Sequence, residues 1–178
     1  MLLIGSKIPS FKATGINIKD GEVSVSDTDL LGQYTLLFFY SLDFSYVCPT
    51  EILALEKNRE EFAKRNTKVI AISVDSIYTH ARWLKMPHSR MGIEGVSFTL
   101  ISDMSQKLSR AFQVFDEESG HSLRASFIVD EENIVQYGAS NSFAFGRSIQ
   151  EILRVIDAIQ FVKTSGGTCP LNWRAPQA

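Results

Sequence analysis

The sequence predicts one α/β domain, a mixed β-sheet packed between helices. Two continuous apolar runs, Thr35–Tyr40 and Lys68–Val74, have the length of strands buried on both faces. Segments of helical spacing alternate with the strands, and the pattern closes on a hairpin followed by an amphipathic helix. The 178 residues suit a single domain and are enough to bury a core without disulfides.

After the first strand, Pro49 to about Arg65 reads as one helix, with Ile52, Leu55, Arg59 and Phe62 on one side. The second strand leads into a helix over Thr79–Lys85. Phe98–Ser102 is a third strand and Gln106–Phe112 a short helix. Ser126–Val129 and Ile134–Tyr137 are strands around Asp130–Asn133, a hairpin turn by composition. Ser148 and Glu151 have capping-box spacing, and Ile149, Ile152, Leu153 and Ile156 give the helix they open its apolar stripe. From Ser165 the chain changes character. Ser165–Trp173 carries turn formers, a cysteine and an aromatic, so it is expected to leave the core and dock elsewhere, on another subunit for instance.

The composition is 44% hydrophobic and 21% charged, as in soluble globular chains. A formal charge of −2 gives no signal for nucleic acid or membrane partners, and no apolar run is long enough to span a bilayer. Met1–Gly5 is apolar, but Lys7 and Pro9 end it far short of a signal-peptide core, so a cytoplasmic protein is expected.

The two cysteines, Cys48 and Cys169, lie far apart, which in a reducing cytosol is not a disulfide framework. No C-x-x-C is present, which excludes a zinc ribbon and a thioredoxin-type dithiol. His80, His88 and His121 share no metal-ligand spacing, and neither metal nor cofactor is expected. Cys48 falls where a strand and connector give way to a helix, with Pro49 suited to the first helical position. The sulfur then faces free N–H groups and the positive end of the helix dipole, which favour thiolate, the nucleophilic form. A buried structural cysteine is the plainer alternative. The hydroxyls of Ser45 and Thr50 are near enough in sequence to donate to a thiolate.

Phe39–Glu51, running Phe-Tyr-Ser-Leu-Asp-Phe-Ser-Tyr-Val-Cys-Pro-Thr-Glu, resembles the active-site segment of typical two-cysteine peroxiredoxins, including the alkyl hydroperoxide reductase C group. The family motif Pro-x-x-x-Thr-x-x-Cys maps onto Ser41, Ser45 and Cys48. Ser73–His80 with Trp83, Leu123–Asp130, Gly146–Ser148 and Cys169-Pro-x-x-Trp173 resemble further family landmarks in order. The resemblance implies a thioredoxin-like sandwich with a mixed central sheet and helices on both faces, a peroxidase domain over 1–164 and a tail over 165–178. It implies that Cys48 is the peroxidatic cysteine and Cys169 the resolving one. Ser45 stands for the Thr hydroxyl that bonds the thiolate and the attacked oxygen, Arg124 is the active-site arginine, and Glu51 and Arg147 hold it. The implied activity is reduction of hydrogen peroxide and alkyl hydroperoxides through a Cys48 sulfenic acid, resolved by Cys169 of a partner subunit as a disulfide. Thioredoxin or a dedicated disulfide reductase is the implied electron donor, and the implied assembly is a homodimer that can close into a decamer, a ring of five dimers.

Ser41 replaces the motif proline, which puts the family's shielding of the site in question. Met91–Gly95 replaces the Gly-Gly-Leu-Gly loop, and the stretch after Cys169 is too short for the family's Tyr-Phe helix, so resistance to sulfinic acid formation is expected. Two rival readings stand beside this one: a disulfide oxidoreductase acting on protein thiols, which lacks its C-x-x-C, and a holdase chaperone built on a decayed site.

Overall fold

The computed structural model describes residues 4–175. The first residues of the apolar Met1–Gly5 stretch and the end of the 165–178 tail lie outside them. The strands are β1 (Lys12–Asn17), β2 (Gly21–Ser26), β3 (Tyr34–Phe39), β4 (Thr67–Ser73), β5 (Thr99–Ser102), β6 (Phe115–Asp116), β7 (His121–Ser122), β8 (Arg124–Val129) and β9 (Val135–Asn141). The α-helices are α1 (Cys48–Lys57), α2 (Arg59–Lys64), α3 (Ile77–Trp83), α4 (Lys107–Ala111) and α5 (Ile149–Ser165). Seven strands form one sheet in the order β2-β1-β5-β4-β3-β8-β9. The β3–β4 and β4–β5 pairs are parallel and the rest antiparallel, which makes the sheet mixed as expected.

Alternation along β3 divides the core. Leu36 and Phe38 point to one side, where Ile52 and Leu55 of α1, Phe62 of α2, Trp83 of α3 and Ile152 and Ile156 of α5 pack. Leu37 and Phe39 point to the other, against Leu108 of α4, Phe112, Ile70 and Phe127. With helices on both faces, the residue that follows β3 emerges at the carboxyl end of the central strands, where α/β sheets build their sites.

The single helix expected from Pro49 to Arg65 is two. Asn58 leaves helical geometry at φ −99° and ψ 13°, and its side-chain amide donates to the Ala54 carbonyl at 2.8 Å. That local bond competes with the backbone ladder while the apolar stripe runs on undisturbed. The capping box at Ser148 forms in one direction. Ser148 Oγ accepts from Glu151 N at 3.2 Å, but the Glu151 carboxylate turns to Arg154. The turn at Asp130–Asn133 forms as expected: Asp130 N donates to the Ile134 carbonyl at 3.0 Å, and Asn133 takes φ 64°. The N-terminal hairpin β1–β2 had no counterpart in the sequence reading. Its strands are half polar, and Gly15 lets β1 approach β5, since a Cβ there would lie 2.7 Å from Thr99 Cγ2.

Gly92 meets a stricter demand. A Cβ on it would fall 1.9 Å from the Met86 carbonyl oxygen, a backbone atom that cannot swing aside. Gly92→Ala is expected to destabilise the fold by about 1–3 kcal/mol, as overpacking of a close contact does. A urea midpoint unchanged from the parent protein would contradict this. No helix among the described residues is long and apolar enough to cross a membrane.

Candidate active site

Cys48 is the first residue of α1, so its sulfur sits in the first turn, where backbone N–H groups lack helical partners. Pro49 follows as the second helical residue, one place later than expected, and Val47 is the N-cap. The cysteine is fully buried. Two groups reach its sulfur: Arg124 Nη1 donates at 3.2 Å, and Ser41 Oγ lies at 3.3 Å.

Arg124 heads β8, next to β3 in the sheet, which brings the guanidinium to the helix end. Its Nη1 also donates to Glu51 Oε2 at 2.8 Å and its Nε to the Phe143 carbonyl at 3.1 Å. Glu51 follows Cys48 by three residues and so occupies the same side of α1 one turn on. Arg147, in the loop before α5, completes the cluster. Its Nε and Nη2 donate to the two Glu51 oxygens at 2.9 and 3.0 Å, and its Nη1 donates to the Phe39 and Ala125 carbonyls at 2.9 and 2.7 Å. The guanidinium lies 3.2 Å from the centre of the Phe38 ring. Gly146 lets this loop pass close to Glu51, whose Oε1 would be 3.4 Å from a Cβ there.

Burial works to raise the Glu51 pKa, but hydrogen bonds and charge from Arg147, with Arg124 behind, win and hold it below its ordinary 4.5. Burial lowers that of Arg147, opposed by Glu51. Two buried guanidiniums and one carboxylate leave one positive charge in excess, and the Cys48 sulfur lies beside it. A thiolate there completes the neutrality of the cluster, the arrangement that suits a buried charge. The Ser41 substitution does not open the site: Ser41 is itself 5% exposed and Cys48 is covered.

The other two hydroxyls depart from expectation. Ser45 Oγ donates to the Leu42 carbonyl at 2.8 Å, and Thr50 Oγ1 to that of Val47 at 2.6 Å. Both close local turns and neither is bonded to the sulfur. Cys169 is half-buried, with its sulfur 3.8 Å from the Ala158 carbonyl of α5. The tail that carries it starts where Gly166 ends α5 at φ 65° and turns back along the same helix. Trp173 packs on Phe161 with ring centres 4.9 Å apart, and Arg154 Nη1 donates to the Trp173 carbonyl at 3.1 Å. In this chain the tail docks on its own α5.

The AhpC/TSA family profile matches residues 4–138. The chain belongs to the AhpC/TSA family. A chloroplastic 2-Cys peroxiredoxin of Hordeum vulgare is 38% identical over 173 residues, 97% of this chain and 82% of that protein. A thioredoxin peroxidase of Fasciola hepatica is 40% identical over 174 residues, 98% of this chain and 89% of that one. In structure, the chain resembles the reduced 2-Cys peroxiredoxin of Plasmodium vivax with a TM-score of 0.96 at 40% identity, covering 100% of this chain and 92% of the other. It is therefore a peroxiredoxin oxidoreductase with a thioredoxin-like fold.

One part of this family member's site escaped the sequence reading. Asp43, in the loop before Cys48, is buried with Tyr40 and His80. Its Oδ1 accepts from Tyr40 OH at 2.7 Å, its Oδ2 lies 2.7 Å from His80 Nδ1, and its N–H donates to Asp75 Oδ2 at 2.9 Å. His80 Nε2 faces the Ile101 carbonyl at 3.2 Å, and since a carbonyl only accepts, Nε2 carries a hydrogen. A second proton must then lie between Nδ1 and Asp43, because two lone pairs would repel at that distance. Burial raises the Asp43 pKa against the pull of His80, and raises that of Tyr40 well above 10.0. The loop is thus tied at Asp43 to α3 and to the segment after β4. The signal was an aspartate and a histidine inside family landmarks, and nothing in their spacing foretold that they meet. Among the described residues no group of three His, Cys, Asp or Glu side chains is placed to hold a metal ion.

Proposed function

We propose that Cys48 is the peroxidatic cysteine of a two-cysteine thiol peroxidase acting on hydrogen peroxide and alkyl hydroperoxides. The observation that carries this reading is the Arg124 guanidinium 3.2 Å from a buried sulfur at the head of α1. A Cys48 thiolate attacks the terminal oxygen of ROOH. The S–O bond forms as the O–O bond breaks, leaving a sulfenic acid and RO⁻, which takes a proton from water and departs as ROH. Arg124 holds the charge as it moves from sulfur to the leaving oxygen, Glu51 and Arg147 hold Arg124, and Thr50 and Ser45 fix the turns on either side of Val47. The larger surface clefts, between α2, α5 and the tail and between the β1–β2 hairpin and α4, are not lined by Cys48, which suits a small substrate.

Cys169 of a partner subunit then condenses with the sulfenic acid, releasing water and forming the disulfide. Bonded sulfurs require Cα atoms within about 7 Å, so a covered Cys48 must first be freed by opening of the first turn of α1, and the tail must leave α5. An external dithiol, thioredoxin or a dedicated reductase, restores both thiols by exchange. In this reading, 1–164 is the peroxidase domain and 165–178 the resolving tail. The working unit is a homodimer that closes into a ring of five dimers. β9, last in the sheet, offers an edge to a second copy. Two distant unpaired thiols suit a reducing compartment, and the cytoplasm is the one proposed.

The test is hydrogen peroxide added to reduced protein, followed on a non-reducing gel. A covalent dimer is expected, and it is lost in Cys48→Ser and in Cys169→Ser, while one equivalent of peroxide is still consumed by Cys169→Ser alone. A dimer that persists in Cys169→Ser overturns the resolving assignment. Mass spectrometry after turnover in excess peroxide tests the expected resistance to sulfinic acid, and two oxygens on Cys48 refute it.

A further inference from the structure

Ser41 lies where the family motif carries a proline, a residue with no hydroxyl to give. Here the side chain is 5% exposed, and its Oγ lies 3.3 Å from Cys48 Sγ. That contact is the hydroxyl's hydrogen bond among the described residues. Against a thiolate, which can only accept, Ser41 must donate. Ser45, the motif's hydroxyl position, spends its hydrogen on the Leu42 carbonyl at 2.8 Å. The sulfur is therefore met by one hydroxyl and one guanidinium nitrogen, and the hydroxyl is that of Ser41.

We propose that Ser41 is a catalytic residue of the peroxide reaction: its hydroxyl bonds the Cys48 thiolate and then the peroxide oxygen that the sulfur attacks. An oxygen joining Sγ comes within a bond length of an atom already in contact with Ser41 Oγ, so the donor needs only to rotate. Arg124 Nη1 is left to follow the charge onto the leaving oxygen. Two donors on adjacent atoms align the O–O bond for in-line displacement, which neither achieves alone.

The loop around Ser41 is built to hold this position. Tyr40 N on one side donates to the Ile72 carbonyl at 3.0 Å. Asp43 on the other is tied through its side chain to Tyr40 and His80 and through its N–H to Asp75. A serine between two such anchors has little freedom besides its hydroxyl rotor, the freedom a donor moving between neighbouring atoms requires.

The inference rests on the peroxidase reading, and the test separates the two. Reaction of reduced protein with hydrogen peroxide is timed by rapid mixing for the parent chain, Ser41→Ala, Ser41→Thr and Ser45→Ala, and alkylation of Cys48 by iodoacetamide is timed for the same set in a Cys169→Ser background. Iodoacetamide brings no peroxide oxygen to be held. Ser41→Ala is expected to lose about 10- to 100-fold in the peroxide rate, below the loss of a full oxyanion donor, while its alkylation rate stays within about threefold. Ser41→Thr, which keeps the hydroxyl, recovers most of the peroxide rate, and Ser45→Ala loses less than Ser41→Ala. An unchanged peroxide rate in Ser41→Ala, equal losses in both reactions, or a larger loss in Ser45→Ala overturns the assignment and leaves the peroxidase reading intact. A parent chain that meets peroxide no faster than a free thiol overturns both.

Discussion

Arg124→Ala is expected to slow the reaction of Cys48 with hydrogen peroxide by about 10²- to 10³-fold, the cost of removing one preorganised donor from a site where charge develops. The reason lies in the charge count of the cluster. With Arg124 present, two guanidiniums face one carboxylate, and the sulfur lies 3.2 Å from Nη1. Without it, Glu51 and Arg147 neutralise each other, no net positive side-chain charge is left beside Cys48, and a negative sulfur keeps only the Ser41 hydroxyl and the first turn of α1. Lysine is a poor replacement, since one ammonium cannot span Cys48 and Glu51 as the Arg124 Nη1 does while Nε holds the Phe143 carbonyl. Stopped-flow measurement of the second-order rate checks this, and a variant within threefold of the parent chain would remove Arg124 from the reaction.

Glu51→Ala is expected to cost about 3–5 kcal/mol of stability, as breaking a buried ion pair from one side does. Arg147 and Arg124 would then lie buried without the carboxylate both are bonded to, and the Arg147 N–H would lose its 2.8 Å bond to Glu51 Oε1. Much of that loss is the desolvation of two stranded cations, so urea unfolding should find it even where activity is not assayed. The carboxylate also gives a pH signature. Its folded-state pKa is lowered from 4.5, so the folded state binds this proton more weakly than the unfolded chain. The contribution is present in full above the unfolded value and is lost as pH falls below about 4.5 through the folded value. The parent protein should weaken over that acid range more steeply than Glu51→Ala does. Parallel stability profiles would show that Glu51 binds its proton equally well in the folded and unfolded states.

The readable parts of the fold were those whose pattern is dictated by burial on both sides. Thr35–Tyr40 and Lys68–Val74 read as strands because every position along β3 and β4 except Lys68 is buried, and the structure moves their ends by only one residue. The break at Asn58 was hidden because Ile52, Leu55 and Phe62 keep one apolar side through it. Its cause is a single side chain bonding back to Ala54. The β1–β2 hairpin was hidden because its strands are short, half polar and recognisable only beside β5.

The site divides along the same line. A cysteine before a helix and one turn ahead of Glu51 is a matter of local sequence, and family resemblance joined Arg124 and Arg147 to it across long separations. Which hydroxyl serves the sulfur is not local. Ser41 and Ser45 are both near Cys48 along the chain, and backbone direction in a loop tied at Asp43 to His80 turns one to the sulfur and the other to Leu42. Short-range spacing placed the nucleophile at a helix start to within one residue, because that depends on neighbours within a turn. The choice of donors, the excess positive charge and the return of the tail along α5 depend on atoms brought together by packing, and no linear pattern encodes their distances.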